Sequence, residues 1–247
     1  LMLTSMWIML PELPDQERYD DSSVRWCLCG GSVLPTNTAE KLGHIFKEGF
    51  VAGYGLTEAS PGVSMLSPRY FKGRPDSIGK PIPHVNVRLV EEQCKYVAPG
   101  EVGEFVVKGT NVFKGYYKKP EATAETLRDG WLYTGDLAKY DQENYLYFVD
   151  RKKDMIKTGG ENVYAAEVEY ALTSHPAVVE AAVIGVPDPM WVETIKAYIT
   201  LKPGVKVEAQ ELIEYCKTIM ASYKKPKYIE FIEVLPKNPS GKVVKQV

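Results

Sequence analysis

Between Ile78 and Val149 the sequence is cut into short runs that alternate apolar and polar residues, among them "VNVRLV", "GEFVVKG" and "NYLYFV". Alternation with a period of two places every second side chain on one face, the pattern of half-buried strands. Turn-forming groups separate the runs: Pro99-Gly100, Gly109-Thr110 and Asp141-Gln142-Glu143-Asn144. Glycine and proline at such joints break any longer helix. A single helix is expected between Pro120 and Leu127, opened by a proline whose fixed φ suits a first helical turn. This stretch reads as a small β-rich, barrel-like subdomain or sheet.

The texture changes on both sides of it. Upstream, "RWCLCGGS" alternates like a strand ending in a glycine turn, and Thr38 to Phe50 carries Leu42, Ile45 and Phe46 at helical spacing before Gly49. Downstream of "DRKKD" at Asp150 to Asp154, a helix is expected from Ala165 to Ser174, strands at "VVEAAVIGV" and "IKAYITLK", a helix from Glu208 to Ser222, and a strand at "YIEFIEV". Helices interleaved with apolar strands imply an independent unit with one sheet face covered. The fold class is therefore mixed α/β, and the charged joint reads either as a domain boundary or as a solvated linker.

Thirty basic and 32 acidic side chains in 247 residues leave a formal net charge of -2. No broad positive surface is available for nucleic acid or anionic lipid. The four cysteines, Cys27, Cys29, Cys94 and Cys216, include no C-x-x-C pair and no nearby histidines, so reduced thiols are expected rather than a zinc site. The opening "LMLTSMWIML" lacks a basic leader and is too short to span a bilayer. A cytoplasmic chain without an integral membrane segment is the expectation. Because residue 1 is Leu, inside an apolar run already under way, the chain is also expected to be a fragment.

Near the end stands "NPSGKVVK", Asn238 to Lys245. Its Gly-Lys is not the phosphate loop G-x-x-x-x-G-K-[ST], because Val243 follows the lysine and Pro236 occupies the place of the first glycine. Three further motifs precede it: "YGLTE" at Tyr54 to Glu58, "YTGD" at Tyr133 to Asp136, and "DRKKDMIKTGGENVY" at Asp150 to Tyr164. In this order and at these separations, with "GYYKKPEATAETLRDGWLYTGD", "GVPDPMW" and "YKKPKYIEF" between them, the chain resembles the adenylate-forming superfamily almost end to end. That family comprises acyl- and aryl-CoA synthetases, firefly luciferase and the adenylation domains of nonribosomal peptide synthetases.

The resemblance implies a reaction in two halves. A carboxylate attacks the α-phosphorus of ATP, expelling pyrophosphate, and a thiol then attacks the acyl-adenylate. Catalysis of the first half consists mostly of placing cations and donors around phosphate oxygens. By resemblance, Glu58 binds magnesium, Thr57 gives its hydroxyl to phosphate, and Tyr54, next to Gly55, lays its ring beside adenine. Gly30, Gly31 and Ser32 match a glycine-rich strand end that lets adenine and the acyl group approach the backbone. Asp136 and Arg151 would hold the ribose hydroxyls. Alone, "YGLTE" reads equally as a strand ending in a glycine turn, and "TGD" as a turn with an Asp cap.

The same resemblance makes Lys242 the lysine that a swinging lid brings to the carboxylate and α-phosphate during adenylation, a task suited to a point charge on a long stem. Lys153 matches the family's hinge. After rotation, "KTGGEN" would face the site, with Gly159 and Gly160 leaving room for the pantetheine arm of coenzyme A. Lys157 reads either as a contact in that second step or as a solvated strand lysine. Residues 1–149 are then the C-terminal part of a large adenylate-forming domain, α/β over 1–66 and β-rich over 67–149. Residues 150–153 form the hinge and 154–247 a small mobile α+β lid.

Some features depart from the family. It usually has Pro where Ala165 stands and Gly where Val192 stands, and the 247 residues contain no Ser/Thr/Gly-rich loop ending in Pro-Lys to wrap the β- and γ-phosphates. Much of the acyl pocket is missing too. The expectation is an acid-thiol ligase of fatty-acid or aromatic-acid metabolism using ATP, magnesium and coenzyme A, present here without the N-terminal portion of the same enzyme. Transfer to a carrier protein's phosphopantetheine is one alternative, and a non-catalytic nucleotide-binding or interaction module another. Homo-oligomerisation is left open.

Overall fold

The computed structural model describes residues 2–14, 18–31, 34, 36–46, 50–71, 73–239 and 241–245. The chain divides into two compact units, residues 1–148 and 149–247.

In the first unit, β1 (Met2–Leu3), α1 (Thr4–Met9), β2 (Cys27–Gly30), α2 (Thr36–Ile45), β3 (Phe50–Gly55), β4 (Gly62–Leu66), α3 (Pro68–Phe71) and β5 (Lys80–Pro81) follow in chain order. The strands form one sheet in the order β1-β2-β3-β4-β5, parallel from β1 to β3 and antiparallel beyond. Its core is aromatic: Trp7 meets Phe50 edge to face at 5.3 Å, and Phe50 lies 4.8 Å from Phe71. Such pairs add about 0.5–1.5 kcal/mol to the burial itself.

A second sheet follows from β6 (Val85–Val90), β7 (Gly103–Gly109), α4 (Pro120–Thr126), β8 (Leu127–Arg128), β9 (Trp131–Tyr140) and β10 (Leu146–Arg151). Its order is β10-β9-β7-β6, with β8 paired to β9. Asp129 and Gly130 both have positive φ, 51° and 77°, which lets two residues reverse the chain between β8 and β9. Phe105, Val107 and Leu132 are fully buried beneath this sheet.

The second unit contains β11 (Met155–Thr158), β12 (Glu161–Tyr164), α5 (Ala165–Thr173), β13 (Val178–Asp188), β14 (Val192–Leu201), α6 (Ala209–Ile219) and β15 (Tyr228–Phe231). The sheet order is β12-β11-β14-β13, with β15 parallel to β14. Val168 and Leu172 of α5 and Leu212 and Cys216 of α6 join Val183, Ile195 and Ile199 in one buried cluster. Each fully buried aliphatic chain contributes about 1.5–3 kcal/mol.

The mixed α/β class holds, while some boundaries differ from the sequence reading. α2 ends at Ile45, and Phe50 opens β3 with its side chain 2% exposed. The register Cys27–Phe50, Leu28–Val51, Cys29–Ala52 captures "FVA" for the sheet, a choice that a short apolar run does not declare by itself. α6 stops at Ile219, and Ser222–Lys224 make a separate 3-10 turn. Cys27, Cys29 and Cys216 are buried free thiols and Cys94 an exposed one. Among the described residues, no helix is long and apolar enough to cross a membrane.

Candidate active site

"YGLTE" is shaped by backbone packing. β3 ends at Gly55, where a Cβ would lie 2.0 Å from the carbonyl oxygen of Pro61, so only glycine fits the crossing. The Leu56 amide donates to that same oxygen at 2.9 Å, and Thr57–Ala59 turn as a 3-10 helix. Two donors from beyond β7 fix this turn. Asn111 gives its amide hydrogens to the carbonyls of Ala59 and Gly62 at 2.9 and 2.8 Å, and the Phe113 amide donates to the Glu58 carbonyl at 2.8 Å.

With its backbone held, Glu58 has a half-buried carboxylate whose Oε1 accepts a 2.7 Å hydrogen bond from the Tyr116 hydroxyl. Burial raises the Tyr116 pKa, and the hydrogen bond and negative charge of Glu58 raise it further. The phenol therefore stays a donor. Thr57 is exposed at the start of the turn.

"TGD" sits on a β-bulge. β7 and β9 pair as Glu104–Leu137 and then Val106–Tyr133, so Thr134, Gly135 and Asp136 stand opposite Phe105 alone. Bulges re-aim side chains at the edge of regular pairing. Here Thr134 Oγ1 donates to the Phe105 carbonyl at 2.7 Å and accepts the Asp136 amide at 3.1 Å, while Gly135 takes φ 71°. Asp136 Oδ2 then receives the Tyr54 hydroxyl at 2.6 Å. The Tyr54 ring leans on Phe105 with centroids 4.8 Å apart.

Gly30 ends β2 beside the Gly53 carbonyl, 3.4 Å from where its Cβ would be, and Gly31 has φ 98°. Gly53, one residue before Tyr54, connects this strand end with the end of β3. Ser32 lies outside the described residues. The first unit thus brings Tyr54 and Asp136 into contact and places Thr57 and Glu58 on the turn that follows Tyr54.

In the second unit, Arg151 ends β10 and Lys153 lies in a 3-10 turn, Lys152–Asp154; both side chains are exposed. Asp150, not singled out from sequence, is 3% exposed and accepts the amides of Arg151 at 2.7 Å and Ala166 at 3.1 Å. Burial raises its pKa, and those hydrogen bonds and the charge of Lys245 oppose the rise. Gly159 and Gly160 have φ 59° and 86° and close the β11–β12 hairpin. A two-residue turn with both φ positive favours Gly-Gly on its own account. Lys157 is exposed on β11.

Lys242 is half-buried on a separate hairpin. Its amide donates to Asn238 Oδ1 and its carbonyl accepts the Asn238 amide, both at 2.9 Å, and Lys237 bridges Val243. Asp136 and Arg151, read together from sequence, belong to the first and second unit respectively. Asn111 and Tyr116 were missed; only the position of Tyr116 inside "GYYKKPEAT" offered a signal.

In the first unit a bulge-borne carboxylate is thus bonded to the tyrosine that precedes a Thr-Glu turn, and the second unit carries a Gly-Lys hairpin. The sequence profile of the family described as AMP-binding enzyme matches residues 2–117, and that of the AMP-binding enzyme C-terminal domain matches residues 167–242. The chain belongs to this adenylate-forming family. A feruloyl-CoA synthase from Amycolatopsis sp is 45% identical over 243 residues, covering 98% of this chain and 49% of that protein. A long-chain-fatty-acid--CoA ligase from Bacillus subtilis (strain 168) is 43% identical, covering 98% and 43%. The o-succinylbenzoate CoA synthetase of Bacillus subtilis, solved with its acyl-adenylate intermediate, superposes with a TM-score of 0.89 at 37% identity, over 98% of this chain and 49% of that one. The chain spans about half the length of the curated relatives it matches.

Proposed function

We propose that this chain carries the nucleotide-binding turns and the lysine lid of an AMP-forming acid-thiol ligase, which makes an acyl-adenylate from a carboxylate and ATP and passes the acyl group to coenzyme A. The observation that carries the reading is the 2.6 Å hydrogen bond between Tyr54 and Asp136, because it unites two motifs 82 residues apart within the first unit. A carboxylate such as that of Asp136 is the acceptor a vicinal diol requires, and the Tyr54 ring is an apolar surface suited to adenine. Arg151 is the guanidinium that would complete the ribose site.

Glu58 fits magnesium. Among the described residues no group of three or more His, Cys, Asp or Glu side chains could cage a metal, whereas Mg²⁺ is typically held by one or two carboxylates plus substrate phosphates and water. Bound there, the ion would neutralise charge on the phosphates. Thr57 hydrogen-bonds phosphate oxygen, and Lys242, carried in by rotation about Lys153, offsets the negative charge that accumulates at the α-phosphorus as the carboxylate attacks. The reverse rotation presents the Gly159-Gly160 turn to the thiol. The names of the relatives range from feruloyl-CoA synthase to long-chain-fatty-acid--CoA ligase, which makes both an aromatic and a fatty acid worth testing.

The test supplies the protein as encoded with ATP, magnesium, coenzyme A and, in turn, ferulate, oleate or 2-succinylbenzoate. AMP and a thioester are expected in equal amounts with at least one acid. ADP formation, or nucleotide binding without turnover of any acid, overturns the proposal. The 247 residues alone, which include no phosphate-wrapping loop, are expected to show little or no acid-dependent pyrophosphate exchange.

A further inference from the structure

The hairpin bearing Lys242 is tied through its backbone: the Lys242 amide donates to Asn238 Oδ1, the Asn238 amide donates to the Lys242 carbonyl, and the Val244 amide donates to the Pro236 carbonyl at 2.9 Å. Two ion pairs, one on each arm, tie it to the second unit. On the incoming arm Lys237 meets Glu180 of β13 at 2.6 Å, with both side chains more than a third exposed. Exposed pairs of this kind contribute little, because water screens them. On the outgoing arm Lys245 meets Glu169 of α5 at 2.7 Å, and here the side chains are only 18% and 23% exposed.

The Glu169 carboxylate is a junction. The same Oε1 also accepts the Val183 amide from β13 at 2.8 Å, so one oxygen ties the tail to helix and sheet together. Asp150 lies in the same field, since the charge of Lys245 acts on both carboxyls. Removing the ammonium would leave two largely buried acids facing each other, and one-sided loss of a buried pair costs far more than the pair is worth.

We propose that Glu169 and Lys245 are positioning residues for Lys242: their ion pair seats the hairpin so that the Lys242 ammonium is delivered to the same place at each adenylation. This rests on the reading of Lys242 under Proposed function. It confines the effect to one half-reaction, because the hairpin has no part in the attack of the thiol on a finished acyl-adenylate. A purely structural bond would instead weaken both halves together.

The experiment uses the protein as encoded with Lys245→Met, Glu169→Gln, Lys245→Arg and, as control, Lys242→Ala. Amide exchange of the 236–245 segment is measured without substrates. Acid-dependent pyrophosphate exchange and thioester formation from supplied adenylate are measured with ferulate or oleate and the matching acyl-AMP. Lys245→Met and Glu169→Gln are expected to speed exchange of the segment and to slow adenylation about 10- to 100-fold, with thioester formation within about twofold of the parent, since misplacement by an ångström has costs of that order. Lys245→Arg should retain most of the adenylation. Unchanged amide exchange, equal loss in both half-reactions, or failure of both charge-removing variants to fold overturns the positioning role. If Lys242→Ala leaves adenylation intact, the reading of Lys242 fails instead; if it abolishes adenylation while Lys245→Met spares it, only the pin is wrong.

Discussion

Tyr116 donates its phenolic proton to Glu58 at 2.7 Å across 58 residues of sequence. A carboxylate that must face a cation profits from having one oxygen fixed, since the other then points in a defined direction. Tyr116→Phe keeps the ring and removes the donor. A hydrogen bond to a charged group is worth about 1.5–3 kcal/mol, so a loss of roughly tenfold or more in pyrophosphate exchange is expected. The magnesium concentration for half-maximal rate should rise as well. An unaltered magnesium dependence would show that the phenol does not orient Glu58.

Val192 opens β14 with φ 71°, in the left-handed region that β-branched residues avoid. The family's usual glycine at this point thereby acquires a reason. Asp188 Oδ1 accepts the amides of Met190 and Trp191, and Asp188 pairs with Val192 across the hairpin, so the turn dictates the torsion whatever residue occupies it. Left-handed geometry costs about 1–2 kcal/mol for an L-residue, against about 0.5–1 kcal/mol for the extra freedom of an unfolded glycine. With 76% of its surface exposed, Val192 loses little packing on truncation. Val192→Gly is expected to raise Tm by a few degrees, on the scale of about 2–4 °C per kcal/mol. A lower Tm in calorimetry would refute the strain.

The loop after β9 gives the first unit a pH signature. Burial alone would raise Asp141, but hydrogen bonds from the Tyr145 amide, the Tyr147 hydroxyl, Arg74 and the Glu143 amide overcome it and hold the carboxyl below its ordinary value of 3.8. A depressed acid stabilises the fold above its unfolded pKa, and that contribution disappears as pH falls through the folded one. Tyr147 behaves oppositely. Burial first, then Asp141, pushes its phenol to about 12, so between pH 10 and 12 the unfolded chain releases a proton that the folded one keeps, and stability falls as pH rises. Asp141→Asn should lower Tm at neutral pH and converge on the parent as pH falls through the depressed folded-state pKa. Tyr147→Phe should flatten the alkaline limb above pH 10. Parallel Tm curves for parent and variants would contradict both assignments.

What the sequence declared and what it withheld differ by range. "YGLTE", "TGD" and the Gly-Lys tail stood out only through their shared order and spacing, whereas the helices and strands of the second unit were legible because their periods of 3.6 and 2 are local. The bulge that aims Asp136 was not legible, since it exists only against Phe105 on another strand. Asn111 and Tyr116 escaped for the same reason, their partners lying about fifty residues upstream. The α2–β3 joint misled because Phe50 fits the apolar side of a helix as well as a strand, and only pairing with Cys27 decides.

The segment Arg151–Asp154 bears the remaining prediction. Arg151 has extended torsions, φ -88° and ψ 137°, and Met155 beyond the turn is extended too, at φ -69° and ψ 129°. The intervening Lys152, Lys153 and Asp154 bury no side chain, so their torsions can change without disturbing a core. If Lys153 absorbs the rotation between half-reactions, a residue with φ locked near -65° must obstruct it. The 3-10 turn tolerates such a φ, so the fold of each unit should survive Lys153→Pro with Tm nearly unchanged. In the protein as encoded, pyrophosphate exchange and thioester formation from supplied acyl-adenylate are measured separately by rapid quench. The proline should slow the second by at least about tenfold more than the first, the signature of a gated conformational step. Equal slowing of the two, or none, would move the hinge away from Lys153.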